Sequence, residues 1–161
     1  MSIVLGRIDY RLLHGIVSTQ WAPQSGAQRI MVIDDHTAND PIIKESMRLG
    51  KPAAMACSII SEETAITNFK AGKYDDHKVF VVAANPKTFL RLQEEAGQSI
   101  PTLILGLTKN DDEQAVKVSS RASVKDCEKE TYKKIVDNGC NVIVKFIPID
   151  KDVKLTSVVT L

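Results

Sequence analysis

The sequence has few cysteines and few aromatic residues. Its 161 residues include three cysteines, and aromatic residues make up 5%. The cysteines are widely spaced and form no Cys-x-x-Cys pair. This spacing argues against a disulfide framework or a cysteine-rich metal site and fits a reducing cytosol. So few aromatic side chains argue against the base-stacking platforms of nucleic-acid binders.

The chain also lacks an excess of charge and long apolar runs. It has 21 Lys+Arg against 20 Asp+Glu, a net charge of +1, whereas binders of nucleic acid or of membrane surfaces usually carry a basic excess. No run approaches the ~20 apolar residues of a membrane span. The first residues lack the layout of a signal peptide. We therefore expect a cytoplasmic protein with a single domain over residues 1–161.

Short apolar runs rich in Val and Ile alternate with segments that have helix-start residues. Strands that are covered on both faces show such unbroken apolar runs, and their alternation with helices predicts an α/β fold with a mainly parallel sheet. The strand candidates are Ile3–Ile8, Arg29–Ile33, Ala54–Ile59, Lys78–Ala83, Thr102–Leu107 and Asn141–Phe146.

Four segments between the strands begin with a residue that can cap a helix. The predicted starts are Asn39-Asp40-Pro41, Ser61, Asn85-Pro86 and a capping box at Ser123-x-x-Asp126. The polar stretch before that box predicts only one short strand, at Ala115–Ser119. The tail from Ile149 is expected to pack on the edge of the domain.

The segment after the first strand carries the densest group of reactive side chains. Arg7, Asp9, Arg11 and His14 precede Gly15, after which the first helix is expected. Arginine binds phosphate oxygens in a bidentate way, a helix N-terminus favours an anion, and neutral imidazole is a nucleophile. The group indicates a histidine that accepts and donates a phosphoryl group. The alternative is that these are solvated loop residues and ordinary surface ion pairs.

Further candidates for substrate binding lie at the same predicted edge of the sheet. Asp34 and Asp35 follow the second strand and Thr108 follows the fifth, and ligands bind beyond the carboxyl ends of parallel strands. Gly15 completes this set of four candidates. His36 beside the two carboxylates suggests a metal site, but no second histidine falls at ligand spacing, so no metal is predicted.

Residues 7–17 resemble the signature of the IIB component of the mannose/fructose/sorbose family of the bacterial phosphoenolpyruvate-dependent sugar phosphotransferase system. That family typically reads Arg-Ile-Asp-Asp-Arg-Leu-Ile-His-Gly-Gln-Val and then Trp. This chain reads Arg-Ile-Asp-Tyr-Arg-Leu-Leu-His-Gly-Ile-Val, with Trp21 following. The likeness continues through residues 29–35, Asn39-Asp40 and Asn85-Pro86, and the length matches an isolated IIB subunit.

The resemblance implies a fold, an activity and a set of partners. The fold is a sheet of about seven strands, mainly parallel, with helices on both faces. His14 would take a phosphoryl group from the phosphohistidine of a IIA component and pass it to a sugar bound by membrane components IIC and IID. Arg11 and Arg7 would steady that group, and Asp9 would support the loop. No metal or organic cofactor is implied, and a homodimer is compatible with the family.

Departures from the family pattern keep an alternative function open. Tyr10 replaces an acidic residue, Ile16 replaces glutamine, and Gly106–Lys109 differs from the expected loop. These changes are compatible with a non-catalytic, anion-sensing or regulatory module on the same fold. Other IIB families use a phosphocysteine, but Cys57 falls inside a predicted strand, where a small buried residue is expected. The sequence leaves the sugar open among mannose, fructose, sorbose and an amino sugar.

Overall fold

A seven-stranded sheet forms the centre of the molecule in the computed structural model, which describes residues 2–161. Its spatial order is β3-β2-β4-β1-β5-β8-β9, and β9 alone runs antiparallel to its neighbour. The strands are β1 Ile3–Asp9, β2 Arg29–Ile33, β3 Ala56–Ile60, β4 Val79–Ala83, β5 Thr102–Leu107, β8 Asn141–Val144 and β9 Val153–Lys154. The prediction of a mainly parallel α/β sheet of seven strands is thus confirmed.

Five helices and one mixed helical segment cover the two faces of this sheet. The helices are α2 Asp35–Ala38, α3 Pro41–Leu49, α4 Glu62–Lys70, α5 Pro86–Glu94 and α6 Lys129–Asp137. The mixed segment starts at Gly15, continues as a π-helical turn over Val17–Trp21 and ends with α1, Ala22–Gln24. The sequence predicts its start, but the π-helical turn has no local signal in the sequence.

Three of the four predicted helix starts are confirmed by their hydrogen bonds. The side chains of Asp40, Ser61 and Asn85 each accept a hydrogen bond from a backbone N–H in the first turn of the following helix. Each bond satisfies one of the N–H groups that have no partner inside the helix. The local sequence therefore determines where α3, α4 and α5 begin.

The predicted capping box at Ser123 is wrong, because Ser123 belongs to a strand. The segment that the sequence left without clear structure forms a hairpin of β6 Val116–Lys117 and β7 Ser123–Val124. A 3₁₀ turn then leads into α6, and Glu128 Oε1 accepts a hydrogen bond of 2.9 Å from the backbone N–H of Lys125. Pairing of Ser123 in the hairpin outweighs its tendency to cap.

The buried apolar residues form one core on each face of the sheet. In the larger core, α4, α5 and α6 pack against one face of the sheet. In the smaller core, the π-helical turn packs against the other face. β4 is buried along its whole length, since it lies near the middle of the sheet with helices on both sides. Burial on both faces explains why these strands read as continuous apolar runs.

The topology brings the end of β1 to the centre of one sheet edge. β1 lies between β4 and β5, and the chain crosses over it to connect these two strands. A crevice therefore opens at the carboxyl end of β1, which is where open α/β sheets bind ligands. No helix within residues 2–161 is long and apolar enough to cross a membrane.

Replacing Asp40 with alanine tests the capping of α3. Asp40 Oδ1 accepts hydrogen bonds from the N–H groups of Ile42 and Ile43, at 3.1 and 3.2 Å. We expect Asp40→Ala to lower the free energy of unfolding by about 1 kcal/mol, measured by urea denaturation. Asp76→Ala is the matched control because that carboxylate is exposed and caps no helix of the described chain. Equal stability of the two variants would contradict the assigned cap.

Candidate active site

A tight turn carries the chain from β1 into the loop that holds His14. The N–H of Leu12 donates a hydrogen bond of 3.1 Å to the carbonyl of Asp9, and Leu12 has a φ of +60°. A non-glycine residue in this left-handed region costs free energy and is retained only where the surroundings fix it. Leu12 and Leu13 are buried in the smaller core. Their burial holds the loop in this conformation.

The carboxylate of Asp9 connects three parts of this loop. Its Oδ2 accepts hydrogen bonds from Arg7 Nε at 3.1 Å and from His14 Nε2 at 2.8 Å. Its Oδ1 accepts a hydrogen bond of 2.9 Å from the backbone N–H of Arg11. The side chain of Asp9 is completely buried. A single buried carboxylate thus fixes the turn and the orientation of the imidazole.

The contact with Asp9 determines which nitrogen of His14 is free to react. A carboxylate can only accept hydrogen bonds, so Nε2 carries the proton in this pair. The neutral imidazole then has its lone pair on Nδ1, and the His14 side chain is 16% exposed. A nucleophile needs both a lone pair and access to its partner. Nδ1 carries the lone pair, and the partial exposure of the side chain allows a partner to approach the ring.

Arg7 lies beneath the loop and is closed off from solvent. Its side chain has no exposed surface, and its Nη1 donates a hydrogen bond of 3.3 Å to the carbonyl of Lys145. Its Cζ lies 5.2 and 5.8 Å from the ring centroids of Trp21 and Phe146, a cation–π arrangement. Burial lowers the pKa of Arg7 below its usual value, although the charge and the hydrogen bond of Asp9 act in the opposite direction. The side chain of Arg7 thus contacts Asp9 and lies behind the loop that holds His14.

Gly106 makes room for the guanidinium of Arg7. A Cβ atom built on Gly106 would overlap the guanidinium carbon and both terminal nitrogens of Arg7. Glycine in the interior of a strand often marks a close approach of this kind. The proximity of Gly106, Trp21 and Phe146 to Arg7 is not apparent from their positions in the sequence. The isolated glycine in β5 was the signal that could have revealed this space.

Positive charge and helix N–H groups surround the exposed side of the loop. The carbonyl of His14 accepts a hydrogen bond of 2.9 Å from the N–H of Ser18, so His14 lies at the start of the helical segment. The first N–H groups of a helix have no partner inside it and favour an anion. Arg11 is exposed and lies on the wall of a crevice of about 540 Å³ at the carboxyl ends of the strands. The wall of this crevice includes Arg11 but not His14, whose imidazole lies beside the start of the helical segment.

The four candidate substrate-binding residues do not come together as one set. Asp34 and Thr108 lie on the wall of the crevice with Arg11, but Gly15 and Asp35 do not. Asp34 Oδ2 also accepts a hydrogen bond of 3.0 Å from the N–H of Thr37 at the start of α2.

The two candidates outside the crevice have different surroundings. Gly15 opens the helical segment. Asp35 Oδ1 accepts a hydrogen bond of 2.8 Å from the N–H of Glu62. The carboxylates of Asp34 and Asp35 thus hold helix starts in place.

Two of the three cysteines lie in surroundings that disfavour a thiolate. Cys57 is in β3, and burial is the main cause of its raised pKa. Burial also raises the pKa of Cys140 to about 12. A thiol must lose its proton to become a nucleophile. Cys127 is exposed in the 3₁₀ turn before α6, remote in sequence from the His14 loop.

Comparison with known proteins now identifies the family. A sequence model described as "PTS system sorbose subfamily IIB component" matches residues 3–161. The chain belongs to this family. In structure it resembles the IIBSor domain of the sorbose permease from Klebsiella pneumoniae, with a TM-score of 0.87, 27% identity and coverage of 98% of this chain and 95% of that one.

Relatives of this IIB chain include proteins with different sugar names. The sorbose-specific EIIB component of Klebsiella pneumoniae is 36% identical over 66% of this chain and 64% of that protein. The mannose-specific EIIAB component of Escherichia coli strain K12 is 26% identical over 99% of this chain and 49% of that protein. The fructose-specific EIIB component of Bacillus subtilis strain 168 is 27% identical, with coverage of 93% and 91%. The match thus spans less than two thirds of the sorbose and mannose relatives.

Replacing Gly106 with alanine tests the enclosure of Arg7 in the IIB fold. The added methyl group would displace the guanidinium and leave the buried Asp9 without its partner, which typically costs about 3 kcal/mol or more. We expect Gly106→Ala to lower the free energy of unfolding by that amount in urea denaturation. At Gly15 a Cβ meets no atom within 4 Å, so Gly15→Ala is the control and should change stability by less than about 1 kcal/mol. A fully stable Gly106→Ala variant would show that Arg7 is not confined.

Proposed function

We propose that this IIB-family chain is a cytoplasmic phosphocarrier that holds a phosphoryl group on Nδ1 of His14. It accepts the group from the phosphohistidine of a IIA component and transfers it to a sugar bound by membrane components IIC and IID. The observation that carries this proposal is the 2.8 Å hydrogen bond from His14 Nε2 to Asp9, which leaves Nδ1 as the nitrogen with a lone pair.

The first transfer exchanges one nitrogen–phosphorus bond for another. The lone pair of Nδ1 attacks phosphorus while the bond to the donor histidine breaks, and the phosphoryl group passes between two imidazoles. His14 gains positive charge in this step. Asp9 stabilises that charge through the Nε2–H, since its carboxylate is already in place and needs no rearrangement. The same contact fixes the ring against rotation.

This proposal gives distinct roles to Arg11, to the first N–H groups of the helical segment and to Arg7. Arg11 is exposed and neutralises the phosphoryl oxygens, together with the N–H groups at the start of the helical segment. Arg7 is a positioning residue, because its buried side chain contacts Asp9. Arginines and backbone donors can stabilise the transferred group, so the proposal includes no metal or organic cofactor.

The comparisons support the partners in this proposal. The mannose-specific EIIAB relative combines A and B parts in its name, and this chain aligns with 49% of its length. A IIA component is therefore the natural phosphoryl donor. The relatives carry sorbose, mannose and fructose in their names, so we propose a sugar as the final acceptor and leave its identity open.

A second candidate function is a module that binds an anion without transferring it. Tyr10 is the observation that favours it, since an aromatic side chain with 39% exposure stands where the family typically has an acidic residue. Such a module would bind the IIA component and take up no phosphoryl group. The phosphorylation assay below separates the two functions.

Replacing His14 with glutamine tests the phosphocarrier function. Mixed with the phosphoenolpyruvate-driven upstream proteins and labelled phosphoenolpyruvate, the wild-type chain should form an acid-labile, base-stable adduct. His14→Gln should take up no label because the imidazole that accepts the phosphoryl group is lost. His77→Gln, in the turn before β4, is the matched control and should label normally because His77 does not line the crevice. Normal labelling of His14→Gln, or labelling lost in Cys57→Ser, would overturn the assignment.

Replacing Arg11 with glutamine tests the neutralising role of its guanidinium. We expect the rate of phosphoryl uptake to fall about 100-fold, the typical loss when a preorganised charge-stabilising group is removed. Arg11→Lys should recover part of the rate, because the charge returns without the bidentate geometry. The side chain is exposed, so the free energy of unfolding should change by less than about 0.5 kcal/mol. An unchanged uptake rate would remove Arg11 from the site.

A further inference from the structure

A second, smaller cavity lies between the end of β5 and the β6–β7 hairpin. Its volume is about 240 Å³, and we call it the hairpin pocket. The residues of its wall that matter here are Tyr10, Thr108, Lys109, Lys117, Ser119 and Arg121. Tyr10, Thr108 and Lys109 also line the larger crevice, so the two cavities are neighbours and share one cation.

The hairpin pocket has positive charge on its wall and no carboxylate. Lys109, Lys117 and Arg121 all contribute to the wall, and no Asp or Glu does. Ion pairs elsewhere occupy many of the cations of residues 2–161, yet none of these three takes part in one. Arg121 Cζ lies 4.1 Å from the ring centroid of Phe146, a cation–π contact that leaves its charge without a carboxylate partner. Three cations without a carboxylate, in a chain with a net charge of +1, point to an anionic ligand.

The larger crevice has a different charge balance. Asp34 and Asp111 lie on its wall together with cations, and Lys125 Nζ pairs with Asp111 at 3.2 Å. Opposite charges there neutralise one another. Lys109 lies on both walls, whereas Lys117 and Arg121 line the hairpin pocket alone and give it an excess of positive charge.

Hydrogen bonds hold the walls of the hairpin pocket in place. The N–H of Thr108 donates to the carbonyl of Arg121 at 3.1 Å, and Thr108 Oγ1 accepts from the N–H of Ser123 at 2.9 Å. Ser119 Oγ accepts from the N–H groups of Arg121 and Ala122, at 3.1 and 3.0 Å. A site whose walls are already ordered loses less entropy when a ligand binds.

The remaining wall residues suit a small ligand that carries hydroxyl groups. Ser119, Ser120 and Asn110 add hydroxyl and amide groups, which can donate and accept hydrogen bonds. Tyr10 adds an exposed aromatic ring at the boundary with the crevice. Pockets for drug-sized ligands measure roughly 300–1,000 Å³, so a cavity of about 240 Å³ takes a smaller molecule.

We propose that the hairpin pocket binds a sugar phosphate. Lys109, Lys117 and Arg121 bind its phosphate group, the serine and asparagine side chains bind its hydroxyl groups, and Tyr10 packs against its ring. That this ligand belongs to the product class of the reaction rests on the proposed function, whereas the binding itself does not depend on His14. The pocket thus gives the chain a means of sensing its product.

Isothermal titration calorimetry with hexose 6-phosphates and the full-length chain tests this proposal. We expect binding by the wild-type chain, a Kd raised about tenfold in Lys117→Gln, and a larger loss in the double variant Lys109→Gln/Lys117→Gln. Lys73→Gln removes the same charge from an exposed turn after α4 and is the matched control, with an unchanged Kd. Equal Kd values for Lys117→Gln, the double variant and Lys73→Gln would overturn the proposal.

Further arms of the experiment distinguish other sources of phosphate. We expect inorganic phosphate to bind more weakly than the sugar phosphate and the free hexose not to bind. Retention of the chain on vesicles of phosphatidylinositol phosphate without any hexose phosphate binding would identify a lipid headgroup as the ligand and overturn the proposal.

Variants of the active loop separate this site from the proposed function. His14→Gln and Arg11→Gln should bind hexose phosphate like the wild-type chain, and Lys117→Gln should accept the phosphoryl label normally. Loss of hexose phosphate binding in Arg11→Gln would place the ligand in the active loop and overturn the proposal. Because different variants are expected to lose labelling and to lose binding, failure of one proposal does not imply failure of the other.

Discussion

The buried ion pair between Arg7 and Asp9 is the interaction on which the loop that holds His14 depends. Neither side chain has exposed surface, and the Nε–Oδ2 distance is 3.1 Å. Breaking such a pair leaves a buried charge without a partner, at a typical cost of about 3–5 kcal/mol. Arg7 is enclosed by the rings of Trp21 and Phe146 and by the backbone at Gly106. Asp9, which pairs with Arg7, in turn orients His14. The packing around Arg7 therefore determines, through Asp9, how the imidazole of His14 is oriented.

Most of the architecture follows from local features of the sequence. Continuous apolar runs predicted six strands of the sheet, and Asp40, Ser61 and Asn85 marked three helix starts, because buried strands and helix caps have short-range causes. β9 and the hairpin of β6 and β7 pair over two residues each, too short for a periodic signal. Ser123 was misassigned for the same reason, since its role depends on pairing across the hairpin.

The site was only partly accessible from the sequence. The residues of the His14 loop and the family resemblance made it the candidate site, and the structure joins Arg7, Asp9 and His14 in one chain of hydrogen bonds. The burial of Arg7 could not be predicted, because it arises where β1, β5, the π-helical turn and the residues after β8 meet. Asp34 and Asp35 look like site residues in sequence, yet their carboxylates hold helix starts. Asp34 also lies on the wall of the crevice with Arg11, whereas Asp35 does not.

The most direct test of this account is the identity of the nitrogen that carries the phosphoryl group. The chain, labelled with ¹⁵N-histidine, can be phosphorylated through the upstream proteins and examined by ¹⁵N and ³¹P NMR. Because Asp9 holds the Nε2–H, we expect the phosphoryl group on Nδ1 of His14, with Nε2 still protonated. Phosphorylation of Nε2, or of Cys57, would contradict the arrangement on which the account rests.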